Sequence, residues 1–305
     1  MAAWLRRATD SDIWWSFKSS TLTVVAAAAT AFIVATAFLS PVLAPHTPFD
    51  PATLNLIDGL KPPAFFSDDG EWRFPLGTDE QGRDVLSSIM YGTRLSLLVG
   101  FASVIVAMVL GITLGLVSGY VGGAVDAAIM RVADVQLTFP AILVALLIDG
   151  VVRGLISVQR HDEIAIFVIV GAIGLSFWVQ YARTVRGSVM VEKNKEYVQA
   201  ARVIGLSPIV IMARHVLPNV TGPVLVIATI NLGLAVITEA TLSFLGVGLP
   251  PTQPSLGTLI RLGNEVLQSG EWWITVFPGA TLAILVLAVN LLGDWLRDAL
   301  NPKLR

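Results

Sequence analysis

The sequence contains no cysteine, few charged residues and only three histidines. Without cysteine, the chain has no disulfide, no catalytic thiolate and no cysteine-ligated metal site. The histidines, His46, His161 and His215, lie too far apart in sequence to show the spacing of a metal site. Charged residues make up 14% of the chain, whereas soluble domains average about 25%. With no basic stripe for nucleic acid, the composition points away from a soluble domain.

Apolar residues are correspondingly abundant: 54% of the chain is hydrophobic, and the mean hydropathy is +0.74. A helix that crosses a bilayer needs about 20 mostly apolar residues. Six such stretches occur, at about residues 21–44, 94–118, 125–149, 164–182, 222–245 and 274–296. The sequence therefore predicts an all-α integral membrane protein, with an amphipathic cytoplasmic lead-in over residues 1–20 and a six-helix transmembrane domain over residues 21–305.

The distribution of basic residues predicts the orientation of these spans. With a cytoplasmic N-terminus, twelve Lys and Arg residues lie in inside segments and six in outside segments. Cytoplasmic loops carry such an excess, so both termini are predicted to face the cytoplasm. The first apolar stretch is longer than the roughly 7–15 residues of a signal-peptide core, and we therefore interpret it as a retained anchor.

Two long segments are predicted to lie outside the membrane. Residues 45–91 are rich in proline and acid, which suits either contact with an extracytoplasmic partner or a solvated cap, and the sequence favours neither. Residues 246–273 carry Pro250, Pro251 and Pro254 and have room for a short helix after them. A shorter outside loop at 150–163 carries several charges.

The long inside loop, residues 183–220, has the pattern of two short helices. Asn194 suits an N-cap, and Glu196 falls in the first turn, where the helix dipole favours acid. Ala200 and Ala201 are predicted to lie on the same side of the helix as Glu196. Gly205 suits a left-handed C-cap.

A second helix is predicted to begin at Ser207 and Pro208, as N-cap and first helical residue, and to stop at Pro218. The result is a helix–turn–helix on the cytoplasmic face. Its small residues allow another surface to approach closely, and the loop is therefore predicted to dock on another protein.

Several motifs of the chain resemble one known family. The loop carries EYVQAAR at 196–202, a glycine nine residues after the Glu, and HVLPN at 215–219. It resembles the EAA loop of ABC importer permeases, and more narrowly that of the C-type permease of dipeptide and oligopeptide importers. Similar stretches occur in the family's order at 74–84, 131–140, 242–246 and 290–302.

The resemblance implies the type I permease fold in the inner membrane and a five-part importer. A second homologous permease would share the path, two cytoplasmic ATPase subunits would bind ATP and Mg, and an extracytoplasmic binding protein would deliver substrate. Four residues would form the docking element for an ATPase subunit: Glu196, Ala200, Ala201 and Gly205. The chain itself is expected not to be an enzyme, since it lacks the Gly-Lys pair of a P-loop.

The chain departs from the family pattern in two places. Val203 and Leu206 stand near Gly205 where small residues are usual, and the charged outside loop at 150–163 is longer than usual. These departures concern the close approach of a partner at the docking loop and the geometry of the external mouth.

Polar residues inside apolar spans are candidates for the translocation path or a gate, because charges in the bilayer are costly. The candidates are Asp134, Asn231 and Glu239. The competing readings are an ion pair of Asp134 with Arg131 and interhelical hydrogen bonds for the other two. Pro140 is predicted to kink the third span.

Short peptides are the substrate that the resemblance implies. The alternative is the same importer fold carrying a nickel chelate, glutathione, an opine or a sugar. A stand-alone channel or secondary transporter is a further alternative, against which the docking loop and the lack of a charged relay through the spans argue. No paired acids, metal cluster or Ser/His/Asp set at the span ends indicates a membrane enzyme.

Overall fold

The computed structural model describes residues 12–50, 54–66, 69–156, 158–250 and 252–299, with side chains described outside 12–14 and 158–163. This part of the chain is helical apart from turns and one antiparallel bridge between Thr78 and Asp84. The α-helices are α1 (Asp12–Ser19), α2 (Thr21–Phe38), α3 (Ser40–Leu43), α4 (Val85–Val121), α5 (Gly123–Leu137), α6 (Ala141–Leu155), α7 (Val158–Glu192), α8 (Glu196–Val203), α9 (Pro208–Val210), α10 (Leu217–Phe244), α11 (Leu256–Val266) and α12 (Trp273–Ala299).

Five stretches of helix are long and apolar enough to cross a membrane. They are α2, α4, the Ile164–Glu192 part of α7, the Pro208–Phe244 helix that ends in α10, and α12. These correspond to five of the six predicted spans. Helix α4 begins nine residues before the predicted span because Asp84 caps it, its Oδ2 accepting the Ser87 N–H at 2.9 Å. Residues 1–11 of the lead-in lie outside the described residues.

The remaining predicted span, residues 125–149, is broken. Helices α5 and α6 meet at 94° across Thr138, Phe139 and Pro140. The kink predicted at Pro140 is confirmed, but the bend is a sharp corner, because the proline ring disfavours helical backbone at the preceding residue. The pair forms a sixth, broken span or a re-entrant segment.

Helices α4 and α7 form the most extensive helix pair of the fold. Three glycines of α4, Gly111, Gly115 and Gly119, lie against α7 so closely that an added Cβ would meet its atoms at 2.3–2.9 Å. Small residues at every fourth position let two helix backbones approach in a membrane. The four-residue spacing of these glycines is a sequence signal from which this close contact could have been predicted.

The start of α11 lies between α4 and α10. An added Cβ at Gly257 would lie 2.2 Å from the Ala240 carbonyl oxygen, and one at Gly92 would lie 3.3 Å from the backbone of Ser255. Helix α11 is the short helix that the sequence predicted after the prolines, and Ser255 caps it. It therefore closes the end of the helix bundle that lies opposite α8, the end that the sequence predicts to face outside.

Ion pairs organise the segment between α3 and α4, the outer segment of the predicted topology. The Lys61 ammonium lies 2.6 Å from Asp58 and 2.7 Å from Glu71, and both carboxylates raise the pKa of Lys61. The Arg83 guanidinium lies 2.7 Å from Asp79, whose other oxygen accepts the Arg83 backbone N–H. Some acidic residues of this segment thus form ion pairs that stabilise the fold of the segment itself.

Candidate functional site

The predicted docking loop is centred on helix α8. The Asn194 N-cap prediction is wrong: Lys195 occupies the N-cap position, and Asn194 Nδ2 instead donates to the Met190 carbonyl at 3.0 Å. The last carbonyls of α7 have no helical partner, and the Asn194 amide satisfies one of them. Glu196 lies in the first turn of α8, as predicted.

Gly205 ends α8 in the left-handed conformation, with φ +84°. Its N–H donates to the Arg202 carbonyl at 3.0 Å, and the Leu206 N–H donates to the Ala201 carbonyl at 3.1 Å. This pair of hydrogen bonds is the Schellman motif, which glycine favours because it has no Cβ. The C-cap prediction is confirmed.

The prediction that Pro218 stops the second helix is wrong. After Ser207 and Pro208 begin it as predicted, the chain passes through a π-helical segment, Ile211–Val216, and continues into α10. Pro218 is the second residue of α10 and directly follows the π-helical segment, so its ring alters the local helical geometry without ending the helix. The docking loop is therefore joined to a transmembrane helix without a flexible break.

The two alanines of the loop face different ways. Glu196, Ala200 and Gly205 are exposed, whereas Ala201 is 4% exposed and packs inward with Val198. The prediction that both alanines share the docking face is wrong for Ala201, because successive helical residues point about 100° apart. Ala201 instead lets α8 lie close on its own chain.

Large apolar side chains surround the exposed small residues. Val203 is 89% exposed, Ile204 77% and Ile209 73%. The exposed surface of the predicted docking loop is therefore largely apolar around Glu196, Ala200 and Gly205. Val203 was predicted only as a departure from the small residue that is usual there, and no role was predicted for Ile204 or Ile209.

Polar contacts fix α8 on the helices around it. The Tyr197 hydroxyl donates to the Glu192 carboxylate at the end of α7 and accepts from Asn219 Nδ2 of α10 at 3.0 Å. Burial and the Glu192 carboxylate raise the pKa of Tyr197 to about 12, so its hydroxyl is protonated at neutral pH. The Arg202 guanidinium lies 5.1 Å from the ring centre of Tyr120 on α4.

Asp134 lies on α5, and its side chain is 56% exposed. It pairs with Arg183 of α7, and not with Arg131 as the competing reading expected. Asp134 is therefore a contact between α5 and α7 in this structure.

Glu239 and Asn231 lie on α10 and are buried, 0% and 1% exposed. Glu239 accepts hydrogen bonds from Ser96 of α4 at 2.8 Å and from Ser243 at 2.7 Å. Glu239 therefore makes the interhelical hydrogen bond that was one of the two readings from the sequence. Asn231 lies beside Tyr181 of α7, but neither side chain makes a hydrogen bond of normal geometry.

Two family models match the chain. One, described as a binding-protein-dependent transport system inner membrane component, matches residues 111–305. The other, the N-terminal TM domain of oligopeptide transport permease C, matches residues 11–63.

Curated relatives match nearly the whole chain. A dipeptide transport system permease protein, DppC, of Escherichia coli strain K12 is 39% identical over 96% of this chain and 93% of its own length. The DppC protein of Haemophilus influenzae is 37% identical over 96% and 95%. A di/tripeptide transport system permease protein of Pseudomonas aeruginosa is 37% identical over 90% and 85%.

Solved structures share the fold. Two crystal forms of the MetNI methionine ABC transporter in inward-facing conformations match with TM-scores of 0.54 and 0.52, at 18% and 20% identity. They cover 69% and 71% of this chain and 94% and 97% of the matched chains. Together with the apolar helices and the docking loop, these likenesses show that the chain is a multi-pass inner-membrane protein that belongs to the binding-protein-dependent ABC importer permeases, in the dipeptide and oligopeptide group.

Proposed function

We propose that this chain is one of two permease subunits of an ATP-driven importer of dipeptides and oligopeptides. The observation that carries the proposal is the exposed face of α8, made of Glu196, Ala200 and Gly205 with the apolar side chains around them. A lone channel or secondary transporter has no need of such a face. The names of the relatives, dipeptide and di/tripeptide permeases, support the choice of substrate.

The partners follow from this proposal. A second homologous permease completes the path, two ATPase subunits carry ATP and Mg and dock on α8 of each permease, and an extracytoplasmic binding protein delivers the peptide. Both termini then face the cytoplasm. This chain hydrolyses no ATP, and the coupling is mechanical: the ATPase pair biases the permease between two conformations.

Valine in place of Gly205 is expected to uncouple uptake from ATP hydrolysis. An added Cβ there meets no atom within 4 Å, but φ is +84°, a conformation that costs an L-residue about 1–2 kcal/mol. The C-cap should therefore shift and misplace the docking face. A bulky residue at Glu196 should act in the same direction. In proteoliposomes with the assembled transporter, labelled dipeptide uptake should fall at least about tenfold while ATP hydrolysis continues.

Gly154→Val is the matched control, because Gly154 is also open to added atoms and has no positive φ. It should keep uptake close to the unmodified level. Normal peptide uptake by Gly205→Val, with normal amounts of protein in the membrane, would argue against the coupling role of α8.

Phenylalanine in place of Tyr197 is expected to weaken coupling without loss of fold. It removes the hydroxyl that joins Glu192 of α7 to Asn219 of α10 through α8, so movement of α8 is passed on less directly. We expect several-fold less peptide transported per ATP hydrolysed. Tyr120→Phe is the control, since it keeps the ring under Arg202. Equal transport ratios in the two variants would contradict the role of Tyr197.

A further inference from the structure

Arg94 lies in the third turn of α4, at the outer edge of the predicted membrane span. Its guanidinium has no hydrogen-bond or ion-pair partner among the residues that the structure describes. Other basic residues on this side are paired with a carboxylate, as in Arg83–Asp79 and Arg261–Glu265. The N–H donors of this guanidinium are therefore free for a ligand.

Arg94 lines a cavity of about 290 Å³. One side of the cavity is polar, with the guanidinium, Thr252 and Gln253; the remaining wall is apolar and aromatic, made of Phe49, Tyr91, Leu95, Leu98 and Pro254. The rings of Phe49 and Tyr91 pack edge to face, 6.0 Å apart, which holds the outer segment against α4. The cavity thus lies where the outer segment, α4 and the approach to α11 meet.

An apolar cavity with a few convergent polar groups is the usual form of a small-ligand site, and such sites measure roughly 300–1,000 Å³. This cavity is just below that range, so it suits one end of a peptide-sized molecule. The guanidinium is a planar fork of N–H donors that matches the two oxygens of a carboxylate. Neither Thr252 nor Gln253 adds a negative charge that would neutralise it.

We propose that Arg94 binds the carboxylate of the transported molecule at the outer mouth of the path. Given the proposed function, on which the identity of the ligand rests, this is the C-terminal carboxylate of a short peptide. The adjoining rings of Phe49 and Tyr91 then cover the last side chain of that peptide. A lipid headgroup phosphate presents similar oxygens to a guanidinium, and the experiment therefore separates the two sources.

The absence of cysteine makes a single reporter thiol possible. Leu98→Cys places it on the cavity wall, and labelling by a maleimide is read from the mass of this chain in the detergent-purified transporter without binding protein. The probes are Ala-Ala, its C-terminal amide, and phosphatidylglycerol in mixed micelles. We expect Ala-Ala to slow labelling several-fold, and the amide and the lipid to leave it unchanged.

Arg94→Met in the same background should raise the Ala-Ala concentration for half-protection roughly tenfold or more, since a charge-assisted pair is lost. Arg94→Lys keeps the positive charge and should retain part of the protection by Ala-Ala. Such partial protection would show that loss of protection in Arg94→Met does not come from misfolding. Arg261→Met changes a paired arginine outside the cavity. In this variant Ala-Ala should protect the reporter thiol as well as it does when Arg261 is present. Protection by the amide equal to that by Ala-Ala, protection by the lipid alone, or protection unaffected by Arg94→Met would each overturn the proposal.

Uptake assays keep the two proposals apart. A transporter that imports Ala-Ala but shows no Arg94-dependent protection of the reporter thiol would contradict the carboxylate site. The proposed peptide function would not be affected. A transporter that imports no peptide, yet is protected by Ala-Ala through Arg94, would retain the site and reject the peptide as cargo.

Discussion

Alanine in place of Gly111 will sharply reduce the amount of folded protein in the membrane. The added Cβ would lie 2.3 Å from the Tyr181 Cβ and 2.6 Å from the Trp178 carbonyl oxygen. Neither atom can rotate away, because one is backbone and the other is attached directly to it. Helices α4 and α7 must therefore separate along their whole contact. Overpacking costs about 1–3 kcal/mol in ordinary cores, and we expect the upper end of that range or more.

Gly115→Ala should have a similar effect, since its Cβ would lie 2.5 Å from the Ala182 carbonyl oxygen. The matched control is Gly187→Ala on α7, where no atom lies within 4 Å of an added Cβ. It should be neutral or slightly stabilising, because alanine favours helix by up to about 1 kcal/mol over glycine. Thermal unfolding in detergent and the yield of monodisperse protein measure the difference. Equal stability of Gly111→Ala and Gly187→Ala would refute the close packing of α4 on α7.

Alanine in place of Glu239 is expected to detach α11 from the helices that it joins. The Glu239 carboxylate accepts from Ser96 and Ser243, and Ser96 in turn accepts the Leu256 N–H of α11 at 3.2 Å. Loss of the carboxyl group leaves a cavity and removes two buried hydrogen bonds, at about 1–3 kcal/mol for each group left unsatisfied. We expect a lower unfolding temperature and uptake reduced by at least about tenfold.

Glu239→Gln keeps the size of the side chain and one carbonyl acceptor, so it should lose much less stability than Glu239→Ala. Thr238→Val serves as the neighbouring control, because the Thr238 hydroxyl bonds only to Leu234 of its own helix. An alanine variant that unfolds normally but transports nothing would support the gate role proposed for Glu239 over a purely structural one. A variant normal in both respects would contradict both roles.

Local patterns were predictable because they depend on nearby residues alone. The apolar stretches predicted the spans, since burial of a whole helix in lipid needs only length and composition. Gly205 was predicted as a C-cap, because the left-handed conformation and its two hydrogen bonds lie within a few residues. The EAA-like loop and the short helix after the prolines were found for the same reason.

Orientation around each helix axis was less predictable. Asn194 was assigned to α8, although its amide satisfies a carbonyl of α7. Ala201 was placed on the docking face, although it lies on the buried side of α8. Both errors arise because the sequence determines spacing along a helix, while the side that faces the protein depends on which neighbouring helix packs there.

The sequence by itself determined that this is a membrane protein of several spans, with a loop that resembles the EAA loop of a known family. Only the tertiary structure decided the ion pair of Asp134 with Arg183, the burial of Glu239 of α10 against α4, and the position of the half-buried Arg94 in its cavity. Hydrophobicity and capping act along the chain. Partners of buried and charged groups come from residues far apart in sequence, so they are set by how the helices pack.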